Sequence, residues 1–270
     1  MALPLHHENL ADWAMTELNF WLERLHSKLP LDEKETHSIR LTAKKLRAAW
    51  LLTLPLIGET RCHLACQEMK QLADHFAANR DSTVQSQLVS SLLNSSSQDN
   101  TAEWENELRE QFFTQSCTHQ TNLDESPREL IQSNLSHWQS CRDFLNDIQL
   151  LRPGLKQTRK KLRHKLTQAL KSGSMKQWHQ CRKWLKYFYY QKEILAEMES
   201  RQPGKSIERL RELGRVLGKR HDLHNLLTMV SPTGLPLSGH QKLDLLRNRA
   251  TQNDAELNQK ATALARKILE

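Results

Sequence analysis

Two stretches of this 270-residue chain share one spacing, and that spacing belongs to a helix. His37, Arg40, Lys44 and Arg47 stand at i, i+3, i+7 and i+10, which puts them in one stripe along an α-helix. His179, Arg182 and Lys186 repeat the first three positions 142 residues later. Lys45 lies beside the first stripe, while Tyr187 and Tyr189 take the places of Lys45 and Arg47 in the second. Further on, NRDSTVQSQL from Asn79 resembles KRHDLHNLL from Lys219, with 141 residues between Asp81 and Asp222. Two motifs sharing nearly one offset predict a duplicated helical unit, and a period this long is not that of a solenoid.

The rest of the chain suits helices. Only 8 Gly and 8 Pro leave few turn formers, and no stretch alternates apolar and polar residues over strand length. The predicted fold is all-α, with two helical bundles related by a pseudo-twofold internal repeat. One domain over 1–270 divides into a first half at about 8–120, a connecting helix at about 127–150 and a second half at about 153–268. Helices are expected over 8–29, 32–54, 59–78, a short stretch to 93, 101–116, 127–150, 155–170, 175–198, 205–217, a short stretch after Asp222, and 239–268. A polar Ser/Asn linker occupies 94–100, Pro153 and Gly154 punctuate the chain, and 232–236 forms a loop.

Charge is unevenly spread. The formal net charge is +8 and the isoelectric point about 9.3. From 152 to 192 there are 13 Lys or Arg and no acid, whereas 99 to 129 holds eight acids against two bases. A solvated helix usually mixes both signs, so a long acid-free stretch implies an external counter-charge. A third basic row, Lys156, Arg159, Lys160 and Arg163, lies opposite Leu155, Leu162, Leu166 and Ala169. Arg211, Arg215 and Lys219 make a fourth. A row of phosphates would neutralise such stripes, with Arg giving forked contacts and Lys point charges.

Other classes find little support. Five cysteines, an odd count with no paired CxxC, suit neither a disulfide framework nor a zinc site, and reduced thiols fit a cytoplasmic protein. The start MALPLHHENL does not read as a signal peptide, and no apolar run is long enough to span a bilayer, so no membrane partner is expected. Nucleotide-loop, zinc-protease and serine-hydrolase motifs are missing. Glu103, Glu105 and Glu107 alternate within a helical stretch, where i and i+2 do not face each other, so they read as surface charge. His37 and His179 either brace helix ends or contact phosphate. Asp81 and Asp222 read as helix caps or salt-bridge partners rather than catalytic acids. No catalytic residue, metal or cofactor is expected. Nucleic-acid binding is the alternative, with Trp104, Trp138, Trp178, Trp184 and the tyrosines as stacking groups. An enzyme acting on phosphoanhydrides would need carboxylates for Mg²⁺, which 152–192 lacks.

These motifs resemble the CHAD family, the conserved histidine α-helical domain. His37, Arg40, Lys44, Lys45 and Arg47 resemble its first basic helix. His179, Arg182 and Lys186, followed by Tyr189 and Tyr190, look like its second. Arg80–Asp81 with Val84, and Asp222 with His224, resemble its later helix starts. GLKQTRKKLRHKL over 154–166 is similar to the basic helix before the second histidine. The resemblance covers nearly the whole chain. It implies two bundles around a positively charged central surface or pore that binds inorganic polyphosphate through the four basic rows, and association with polyphosphate granules. Family members are often fused to a CYTH triphosphatase-type domain, which needs a β-rich tunnel and an ExExK motif. Neither is seen here, so the resemblance implies a stand-alone binder. Tyr187 and Tyr189 replace basic residues, and Arg24 and Lys28 leave the first helix less basic than its partner at 156–163. A lopsided surface, strongest on the second-repeat side, is therefore expected.

Overall fold

The computed structural model describes residues 9–27, 30–77, 87–92, 126–202, 204–230 and 240–270. Among them every regular element is helical: α1 (Leu10–Ser27), α2 (Glu33–Ile57), α3 (Glu59–His75), α4 (Pro127–Cys141), α5 (Arg152–Ser172), α6 (Met175–Met198), α7 (Lys205–Met229) and α8 (His240–Leu269). A helical segment at 87–92 and two 3₁₀ turns, Arg142–Phe144 and Ile148–Leu151, complete the set. The expected break at Asp81, with Arg80 and Val84, and the 94–100 linker lie outside the described residues. So do the 101–116 helix with Trp104, Cys117 and the 232–236 loop.

Local chemistry sets the helix starts. Asp32 and Glu35 form a reciprocal capping box on α2, and Ser126 and Glu129 form another on α4 behind Pro127. Ser174 caps α6. Gly173, at φ 63°, closes α5 in the left-handed region that favours glycine.

Two cores result. The first joins α1 to α4 through Trp13, Trp21, Leu46, Trp50, Met69 and Trp138. Trp50 stacks on Trp138 with ring centres 3.7 Å apart and donates from Nε1 to Asn134 Oδ1 at 3.1 Å. Asn134 Nδ2 in turn donates to the Ala65 carbonyl at 3.1 Å and to Glu68 at 2.8 Å, so the buried amide is satisfied. The second core joins α5 to α8 through Leu162, Leu166, Trp178, Leu185, Leu213 and Ala261. There Arg220, only 3% exposed, meets Asp254 in a forked pair at 2.8 and 3.1 Å.

The two cores meet where α2 packs on α5 and α6. Ala48, Tyr187 and Tyr190 form a small apolar cluster at this seam. Gln191 Nε2 donates to the Ala48 carbonyl at 3.0 Å and to Thr158 Oγ1 at 3.1 Å, tying α6 to both α2 and α5. Gly154 permits the approach of α5 to α2, since a Cβ there would stand 2.1 Å from the Leu52 carbonyl oxygen.

Three expected boundaries differ. The helix expected over 127–150 stops at Cys141, and Asp147 caps a fresh 3₁₀ turn by accepting from the Gln149 amide at 2.8 Å. Pro153 does not interrupt the chain but sits in the first turn of α5, where its missing N–H costs nothing. α7 runs unbroken through Asp222, which therefore starts no helix. Among the described residues, Cys62, Cys66, Cys141 and Cys181 are free thiols, and no helix is long and apolar enough to cross a membrane.

Candidate functional site

The seam between the cores opens into a groove of about 450 Å³. His37, Arg40, Lys44 and Arg47 reach it from α2, along the single stripe that their spacing predicts. His179, Arg182, Lys183 and Lys186 reach it from α6, and His221, Asp222 and Asn225 from α7. Among the described residues, six Lys or Arg side chains thus share one concavity with one carboxylate, Asp222. Cations gathered this way repel one another, and low-dielectric walls concentrate their field on whatever enters.

Neighbouring contacts fix these side chains. Arg40 Nη1 donates to the Ala77 carbonyl beyond the end of α3 at 3.4 Å. The Arg47 guanidinium lies 5.7 Å from the centre of the Tyr187 ring, and its buried Nε has no hydrogen-bond partner among the described residues. Burial raises the Tyr187 phenol above its ordinary range, against the opposing pull of Arg47. The His179 and His221 rings approach to 5.0 Å. Desolvation, then the Arg182 and Lys183 charges, hold the His179 imidazole below its usual range. α7 packs on α6, with Gly214 near Leu185 and Gly218 near Arg182, and His221 and Asp222 on it line the groove.

The structure brings the first two basic rows together and leaves the other two apart. Lys45 is half-buried on α2 beside the lining residues. Lys156, Arg159, Lys160 and Arg163 are exposed on α5, away from the groove, and Arg163 donates to the Leu269 carbonyl at 2.8 Å. Arg211 is held by Glu208 at 2.7 Å, Glu193 at 3.3 Å and the Tyr189 hydroxyl at 3.1 Å, so its charge is already matched. Arg215 is exposed, and Lys219 borders a further cavity with Glu256 and Lys260 that shares Asp222 with the groove. Lys183, His221 and Asn225 join the groove without having been expected there. Lys183 follows His179 by one helical turn, a signal within reach of spacing alone. His221 was hidden by reading Asp222 as a helix start.

A second cavity of about 730 Å³ shares Arg47, Lys183 and Tyr187 with the groove and adds Glu59, Asp74, Lys70, Cys62 and Cys66. Among the described residues, no cluster of three or more His, Cys, Asp or Glu is arranged to hold a metal ion.

The model of the CHAD domain matches residues 16–231 of the chain. The structure is similar to that of PptA from Streptomyces chartreusis, with a TM-score of 0.71 and 17% sequence identity, over 96% of this chain and 98% of that one. No curated protein matches by sequence. The family match spans both basic stripes and most of both cores, and the chain belongs to the CHAD-domain family.

Proposed function

We propose that the groove binds inorganic polyphosphate, with successive phosphates lying between α2 and α6. One observation carries this reading: six cationic side chains from two helices, α2 and α6, converge on one concavity. Polyphosphate carries charge along its whole length and has no bases, so it requires donors and positive charge rather than stacking platforms. The groove offers little for a base. Tyr187 and Tyr190 are 8% and 7% exposed, Trp138 and Trp178 are buried, and the half-buried Trp184 and Tyr189 do not line the groove, which favours polyphosphate over nucleic acid there. The family and the fold are consistent with a polyphosphate-related role.

The protein acts in this reading as a binder rather than a catalyst. Metal-assisted cleavage of a phosphoanhydride uses several carboxylates to place Mg²⁺, and among the described residues Asp222 is the carboxylate that lines the groove. Shortening of the chain by purified protein with Mg²⁺ or Mn²⁺ would overturn that part. In cells that store polyphosphate, the same affinity would carry the protein to the granules.

Charge reversal at Arg40, Lys44, Arg182 and Lys186 tests the groove. Hydrogen bonds to charged groups contribute about 1.5–3 kcal/mol each, so the four changes should weaken binding of long-chain polyphosphate by at least about a thousandfold. The helical circular-dichroism signal should persist. Unchanged affinity in a folded variant would remove the groove from the account.

A further inference from the structure

We infer that the second cavity holds the nucleoside of a nucleoside polyphosphate, whose phosphates run from there into the groove. The phosphate end of this inference rests on the groove reading; the nucleoside end rests on the cavity itself.

The two spaces are continuous along one face of α2. His37, Arg40, Lys44 and Arg47 line the groove, and Leu51 and Leu54 of the cavity continue the same stripe beyond Arg47. Arg47 of α2, with Lys183 and Tyr187 of α6, borders both spaces. Charge therefore gives way to apolar surface at Arg47. From Arg47 to Leu54 the helix rises about 10 Å, which is the reach of a nucleoside. At about 730 Å³ the cavity has the size of a small-molecule site.

The walls suit a base and a sugar. On α6 the half-buried Trp184 borders the cavity, edge-on to Tyr187 with ring centres 5.7 Å apart. An indole on a cavity wall gives a base a ring to stack on. The α3 wall brings the amides of Gln67 and Gln71 and the carboxylate of Glu59. Amides both donate and accept, as the edge of a base requires, and a carboxylate accepts from ribose hydroxyls. A fatty acid would share the anionic end, but its hydrocarbon would answer none of these polar groups. The order of the parts selects among nucleotides. In a nucleic acid each phosphate is followed by another sugar and base, and beyond Arg47 and Lys183 the groove offers cations with Tyr187 and Tyr190 nearly covered. A nucleoside polyphosphate places one base on one side of that junction and consecutive phosphates on the other, which matches both halves.

The test compares ATP with tripolyphosphate by calorimetry on the full chain, without Mg²⁺. Tripolyphosphate carries the greater charge, so charge alone makes it the tighter ligand. Stacking of the base should reverse that order and make ATP tighter by about tenfold or more. Trp184→Leu should abolish the advantage and leave tripolyphosphate affinity unchanged, while leucine keeps an apolar group against the cores that Trp184 touches. ATP equal to or weaker than tripolyphosphate in the parent protein overturns the inference and needs no variant. So does an ATP advantage that survives Trp184→Leu. A short single-stranded RNA that binds more tightly than ATP, with the excess lost in Trp184→Leu, would assign the cavity to nucleic acid and also overturn it. Failure of the groove reading shows separately, as tripolyphosphate affinity untouched by the Arg40, Lys44, Arg182 and Lys186 reversals.

Discussion

His179 links proton binding to anion binding. Its imidazole titrates below the ordinary 6.5 because desolvation and two neighbouring cations disfavour its charged form. Above pH 6.5 folded and unfolded chains both carry it neutral, so it contributes nothing to pH dependence. As pH falls below that value the unfolded chain takes up the proton first, and stability drops until the folded imidazole is protonated too. A polyanion in the groove offsets Arg182 and Lys183, raises the imidazole and makes binding proton-consuming. Affinity for long-chain polyphosphate should therefore rise on acidification through this range, as the bound anion offsets the Arg182 and Lys183 charges while the burial of the ring remains. Titration calorimetry across the pH series checks this, and His179→Gln should flatten the slope. A slope unchanged in that variant would assign the proton to another group. At this scale the sequence was legible where spacing alone decides which side chains share a stripe, as for Arg40 with Lys44 and Arg182 with Lys186. It was illegible where a partner distant in sequence decides. Arg211 reads as part of a free basic row, yet Glu193 on α6 matches its charge. The buried Glu68, Asn134 and His137 network likewise depends on α3 meeting α4.

Helices α2 and α6 were readable because their own residues start them, through the Asp32 box and the Ser174 cap, and because their apolar faces are continuous. In sequence α7 reads as two pieces because Asp222 resembles a helix start. In the fold the helix continues through Gly218 and Asp222 without a break. The same contrast applies to Gly154. In sequence it pairs with Pro153 as punctuation; in the structure it is the contact point of α5 with α2. Gly154→Ala raises helix propensity but drives a Cβ to 2.1 Å from the Leu52 oxygen and 2.8 Å from its Cα, backbone atoms that cannot step aside. The strain of overpacking, about 1–3 kcal/mol, should outweigh the propensity gain of about 1 kcal/mol. Thermal unfolding should show net destabilisation. A stabilised variant would mean that α5 is free to shift away from α2.

At the scale of the whole molecule, function and architecture meet at one seam. Each core closes on its own apolar residues, and the basic stripes of α2 and α6 belong to different cores. Neither stripe alone forms a concavity; the packing of α6 on α2 through Ala48, Tyr187 and Tyr190 sets them around a common space. The sequence motifs pointed to both helices and to an anionic partner, but no local pattern records that the helices face each other or that α5 faces away. The central claim is that phosphates occupy the space between Arg40 and Arg182. A crystal structure of the protein with tripolyphosphate tests it most directly. The account predicts phosphorus density inside the groove, within hydrogen-bond reach of both guanidinium groups; density only on outer surfaces, with the groove holding solvent, would contradict it.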